Sequence, residues 1–110
     1  PAGFPHILAS ILENESADII GWSQSGRSFG IREMNAFKDQ ILPQYFKHDK
    51  FSSFQRQLNL YGFRKIVKGN ESGCYIHTYF RRGHPELLKQ VRRGQMPPCP
   101  PRYEHKVYGS

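Results

Sequence analysis

The residues best suited to chemistry lie in one stretch, Phe51-Ser52-Ser53-Phe54-Gln55-Arg56-Gln57-Leu58-Asn59-Leu60-Tyr61-Gly62-Phe63-Arg64-Lys65. Wound as a helix at about 100° per residue, it gathers Phe51, Phe54, Leu58 and Tyr61 within roughly 80° of one another. Arg56 then lies opposite the centre of that apolar stripe, with Ser52, Ser53 and Asn59 beside it. A guanidinium is a rigid fork of donors that matches the paired acceptors on a guanine edge. Short hydroxyl and amide groups next to it suit bases or phosphate oxygens.

An arginine opposite an apolar stripe is ordinarily just a solvated face. Its neighbours shift that balance. Lys47, His48 and Lys50 precede the stretch, and Arg64, Lys65 and Lys68 follow it. Cations at both ends can hold phosphates and fix register while the helix face reads bases. A polar break of turn length, Lys47-His48-Asp49-Lys50, also separates this helix from an amphipathic one before it, as a helix-turn-helix requires.

Other constellations carry less. Cys74, His77 and His84 invite thoughts of a metal, but positions 74 and 77 fall on opposite faces of a strand. No second ligand pair at zinc spacing accompanies them, so neither a metal nor another cofactor is expected. Serine, histidine and aspartate occur without a nucleophile-elbow glycine pattern or paired carboxylates, so the chain does not read as an enzyme. Trp22, Phe29, Phe37 and Phe63 could stack bases, but their spacing fits a single packed interior better. Ser52 or Ser53 is also placed to cap the helix, and Gly62 to stop it.

The elements that must position these groups follow from periodicity. Apolar residues at 4, 7, 8, 11 and 12 mark a helix over residues 4–14, with Pro5 tolerated in its first turn. Ile20 and Trp22, then Phe29 and Ile31, alternate around the turn Gln24-Ser25-Gly26 and predict a hairpin. Met34, Phe37, Ile41 and Tyr45 predict a helix over 34–46 that Pro43 should kink or shorten. Strands are expected over 64–68 and 74–80, joined by the turn-rich loop 69–73. A short basic helix is expected over 85–93, and Pro97, Pro98, Pro100 and Pro101 make residues 94–110 a flexible tail or linker. The sum is an α+β winged helix-turn-helix: a three-helix core, a small antiparallel sheet and a short C-terminal helix.

Composition agrees. At 110 residues, with 37% hydrophobic residues, the chain can fill one modest core. The net charge of +7 is lopsided: residues 1–43 hold three basic and five acidic groups, residues 44–110 thirteen and four. The basic surface therefore belongs to the second part and calls for an acidic partner. The two cysteines are too few for a disulfide framework, and no long apolar run or leader is visible, so a reducing compartment and no membrane are expected.

The run Phe54-Gln55-Arg56-Gln57-Leu58-Asn59-Leu60-Tyr61-Gly62-Phe63-Arg64-Lys65 resembles the signature of heat shock factor DNA-binding domains. Leu42-Pro43-Gln44-Tyr45-Phe46-Lys47-His48, Trp22-Ser23-Gln24-Ser25-Gly26-Arg27-Ser28-Phe29 and Phe80-Arg81-Arg82-Gly83 fit the same family, so the likeness spans residues 4–93. The resemblance implies a nuclear transcription factor of the stress response that reads nGAAn half-sites in duplex DNA. It implies that residues 52–62 enter the major groove and that Arg56 reads guanine. Ser53, Gln55, Asn59, Tyr61, Arg64, Lys65, Lys47, His48 and Lys50 would be supporting or phosphate contacts. Trimerisation would lie outside this chain. The sequence departs from the family at Asp49, Lys50, Phe51 and Gln55, the last standing where an apolar residue is common. Two alternatives are an ETS-like winged helix, which usually carries two arginines on the reading helix, and a winged helix that binds proteins.

Overall fold

The computed structural model describes residues 3–47 and 50–94. Helix α1 (Phe4–Asn14) buries Phe4, Leu8 and Ile11, the rows expected from its spacing. Strands β1 (Ile20–Trp22) and β2 (Ser28–Ile31) pair antiparallel, with Trp22 opposite Phe29. Their turn includes Gly26 at φ 73°.

The second predicted helix is a continuous rod of three parts. Helix α2 (Met34–Ala36) passes into a π-helical stretch (Phe37–Ile41) and then α3 (Leu42–Phe46), with right-handed helical backbone at both junctions. Pro43 sits just past the wide turn. A proline ring crowds the carbonyl four residues back and offers no N–H, and the wider turn relieves that crowding without breaking the rod.

Helix α4 (Phe51–Leu60) ends just before Gly62, the residue expected to stop it. The stop has an explicit geometry. Gly62, at φ 84°, donates its N–H to the Asn59 carbonyl at 3.1 Å, and Phe63 donates to the Leu58 carbonyl at 2.9 Å. This is the Schellman arrangement, with glycine in the left-handed position after the helix and Phe63 and Leu58 both in the core.

Strands β3 (Arg64–Lys65) and β4 (Tyr75–Ile76) are shorter than their apolar runs suggest. Beyond Ile76 the chain turns back on itself, with a bridge between His77 and Phe80, so the expected strand over 74–80 cannot continue. The strands form one sheet in the order β1-β2-β4-β3, joined across the middle by Ser28 opposite Ile76 and Phe29 opposite Tyr75. The predicted helix over 85–93 is a 3-10 helix over Pro85–Gln90, after which Val91 is extended. The expected tail over 94–110 lies, beyond Gly94, outside the described residues.

One core joins these parts. Phe4 lies with its ring centroid 5.8 Å from Phe54, 6.0 Å from Phe46 and 5.3 Å from Tyr61, clamping α1 to the ends of both α3 and α4. Phe29 meets Tyr75, Phe63 and Phe80 beneath the sheet. Phe29, Phe37 and Phe63 are thus interior, as their spacing predicts, whereas Trp22 is only half-buried. Among the described residues no helix is long and apolar enough to cross a membrane.

Candidate nucleic-acid interface

Helix α4 is held from one side only. Phe54 and Leu58 are buried, Phe51 and Tyr61 are half-buried at the edges of the apolar stripe, and Arg56 is exposed on the opposite face. Ser52, Arg56 and Asn59 are all exposed, and their i, i+4, i+7 spacing stacks them along one line of the helix. Ser53 and Gln57 flank that line and are half-buried. The arrangement offers a forked cation between a hydroxyl and an amide on a convex rod, the shape a major groove admits.

The N-terminal end of α4 is bordered by lysines. Lys50 occupies the N-cap with extended backbone and makes no side-chain cap bond. Ser52 and Ser53, expected as possible caps, lie inside the helix and do not cap it; Ser53 instead donates its own N–H to the Lys50 carbonyl at 3.1 Å. Lys50 itself supplies no side-chain cap, and the positive end of the helix dipole lies at this end, where it favours an anion. Lys47 and Lys50 are exposed beside it. His48 and Asp49 fall outside the described residues.

Lys47 carries a constraint the sequence did not reveal. It ends α3 in the left-handed region, φ 61° and ψ 24°, where glycine is the usual occupant. Among the described residues it is the single non-glycine with positive φ. Nothing in the residues around position 47 signals this, because lysine has no preference for the conformation.

At the other end the chain brings Arg64 and Lys65 onto β3. Lys65 is exposed, with Nζ 5.9 Å from the centroid of the Tyr75 ring, and Arg64 is half-buried. Tyr61 packs on Phe4 at the close of α4, so its ring belongs to the core side. Gln55 turns inward: its amide donates to the Tyr75 hydroxyl at 3.4 Å. The predicted contacts therefore divide. Arg56, Asn59, Lys47, Lys50 and Lys65 share exposure around α4, Ser53 and Arg64 stand at its margin, and Gln55 and Tyr61 face protein.

Among the described residues no group of three His, Cys, Asp or Glu is placed to hold a metal. Cys74 packs with Ile66 and Ile76, and burial raises its thiol pKa. His77 is 2% exposed, against the Phe63 ring at 5.0 Å. Its Nδ1 accepts the Tyr79 N–H at 3.0 Å, which leaves the proton of the neutral ring on Nε2, a buried atom without a hydrogen-bond partner. Burial pushes its pKa down to about 4, against the opposing pull of the nearby Tyr61 carbonyl.

Known proteins share this architecture. The family model for HSF-type DNA-binding matches residues 4–94. Heat shock factor protein 2 of Gallus gallus is 41% identical over 102 residues, covering 84% of this chain and 18% of that protein. Heat stress transcription factor B-1 of Arabidopsis thaliana is 42% identical over 94 residues, covering 84% of this chain and 32% of that protein. The chain thus spans a third or less of these relatives. Among solved structures, Chaetomium thermophilum Skn7 with SSRE DNA superposes with a TM-score of 0.77 at 36% identity, covering 84% of this chain and 99% of that one. A heat shock transcription factor/DNA complex gives a TM-score of 0.60 at 35% identity, covering 70% of this chain and 95% of that one. The winged-helix fold, the motif around Arg56 and these likenesses together place this chain in the HSF-type DNA-binding domain family, a family of DNA-binding domains rather than of enzymes.

Proposed function

We propose that this chain binds duplex DNA sequence-specifically, laying α4 in the major groove so that Arg56 reads the guanine of nGAAn half-sites. One observation carries the reading: Arg56 stands exposed at the middle of the α4 face that turns away from Phe54 and Leu58. Asn59 and Ser53 support it from the same helix. Lys47, Lys50, Lys65 and Arg64, together with His48, supply phosphate contacts that fix register. Tyr61 and Gln55 act from behind, through protein contacts. Solved relatives are complexes with HSE and SSRE DNA, which supports a duplex partner.

In this reading residues 4–93 are the DNA-binding unit and residues 94–110 a linker. The whole protein is a nuclear transcription factor of the stress response. It assembles, as a trimer, through a region outside this chain. Several copies on adjoining half-sites give the selectivity that one short helix lacks.

The test is fluorescence anisotropy on duplexes carrying inverted nGAAn repeats and on scrambled duplexes, across a salt series. Repeats bind more tightly, and Arg56→Ala removes that preference at a cost of about 1–3 kcal/mol. Equal binding of both duplexes with a steep salt slope would leave only phosphate attraction and refute base reading by Arg56.

A further inference from the structure

A half-enclosed cleft of about 360 Å³ lies between α1, the first hairpin and the segment following β4. Its apolar wall is Leu12, Trp22, Phe80 and Leu88, and the Trp22 and Phe80 rings lie 5.1 Å apart at 30°. Leu12, Trp22 and Leu88 are half-buried, so the wall still faces water. No lining residue comes from the helices and turn that carry the DNA face. The cleft and α4 can therefore be occupied together.

The rim is positive. Arg81 and Arg82 stand against Glu13, the single acid among the lining residues. Both arginines are held by neutral carbonyls. Arg81 Nε donates to Thr78 O at 3.1 Å, and an Arg82 terminal nitrogen donates to Gln24 O at 3.4 Å while its guanidinium rests on Gly26. Their charge is thus oriented but not neutralised, while His84, the histidine of the lining, pairs with Glu86 at 2.9 Å. Lys89, Arg92 and Arg93 follow along the chain against Glu86 alone, so the cleft opens onto a basic segment.

The adjoining sheet edge is closed to an added strand. Arg32 donates to the carbonyls of Ala17 and Trp22 at 2.6 and 2.9 Å, and the Ile20 N–H is taken by Ser16 O at 3.1 Å. An occupant must therefore bring side chains rather than a backbone edge. We infer that this cleft docks an acidic amphipathic helix of a partner protein. Its apolar side chains enter between Leu12, Trp22, Phe80 and Leu88, and its carboxylates meet Arg81 and Arg82.

Trp22 is the chain's single tryptophan, so the cleft carries its own reporter. The probe is a labelled synthetic peptide of about four helical turns, with Leu and Phe at i, i+3, i+4 and i+7 and Asp or Glu elsewhere. Titration should change Trp22 emission and peptide anisotropy saturably, with Kd in the range of about 10–100 µM, and equally with duplex DNA present. Arg81→Gln and Leu88→Glu should each weaken the peptide at least about fivefold. Both variants should bind duplex DNA as the parent does, which also certifies their folding. The inference is overturned if neither signal changes or if both variants bind the peptide like the parent. It is equally overturned if a peptide with dispersed apolar residues, a lysine-substituted peptide or a proline-rich peptide binds as well.

Discussion

The side-chain amide of Gln55 donates to the hydroxyl of Tyr75 at 3.4 Å, joining the helix that bears Arg56 to an inner strand of the sheet. Tyr75 in turn lies under the Lys65 ammonium. A residue that stands on the reading helix next to Arg56 is thereby spent on fixing the angle between helix and sheet. The bond is long, so Tyr75→Phe should cost stability only about 0.5–1 kcal/mol by urea denaturation. Gln55→Val on the Tyr75→Phe background should cost no more, giving a coupling in the double-mutant cycle. If Gln55→Val changes duplex affinity in both backgrounds alike, Gln55 touches DNA directly instead.

Lys47 should trade stability for binding. Its left-handed backbone is strained for any side chain, so Lys47→Gly should raise the thermal midpoint, by roughly 0.5–1 kcal/mol in stability. The same change removes a phosphate-directed charge. Duplex affinity should fall equally on specific and scrambled sequences, and the salt slope should drop by about one. A variant that loses stability would show that the Lys47 side chain packs on protein rather than serving the DNA face.

Gly62 permits the sharp exit from α4 into β3. At φ 84° an alanine is strained, and Gly62→Ala should cost about 1–2 kcal/mol, read by thermal or denaturant melts. The DNA preference of the folded fraction should survive, because Arg56 lies more than a turn upstream. A melt unchanged from the parent would sink the Schellman stop as a stabilising device.

His77 predicts a pH dependence with a definite sign. Burial lowers its pKa in the folded protein from 6.5 to about 4, so both states are neutral above 6.5 and the group then leaves stability flat with pH. As pH falls below 6.5 the unfolded chain takes up a proton that the folded one refuses, and stability drops until the folded pKa is passed. The loss amounts to about 3 kcal/mol at most. Urea denaturation at pH 7.5, 6 and 5 checks it. His77→Gln, which keeps an acceptor for the Tyr79 N–H, should flatten the profile; an equally steep profile in that variant assigns the loss to other groups.

Much of this was legible in the residues. The rows 4, 8, 11 and 54, 58 placed two helices, and the alternation through Trp22 and Phe29 placed the first hairpin. The Arg56 face followed from the same arithmetic. What escaped has a shared physical cause: it depends on hydrogen bonds whose choice no side chain announces. The π stretch at Phe37–Ile41 keeps the helical apolar spacing and differs only in which carbonyl each N–H selects. Leu87, Leu88 and Val91 read equally well as α-helix, yet the segment closes as a 3-10 turn and ends at Gln90. Pairing of Ser28 with Ile76 joins distant segments, and Gln55 finds Tyr75 only once the sheet has formed.

That central pairing also orders events in time. Everything from Arg32 to Cys74 lies between β2 and β4 along the chain, so among the pairings of the sheet theirs has the longest loop to gather. Helices α1 and α4 need only local contacts to begin. Amide exchange should therefore find the protons bridging β2 and β4 among the slowest, opening only when the whole domain opens. The helix bearing Arg56 is then an inset held at both ends by a single clasp, and its placement is as durable as that clasp.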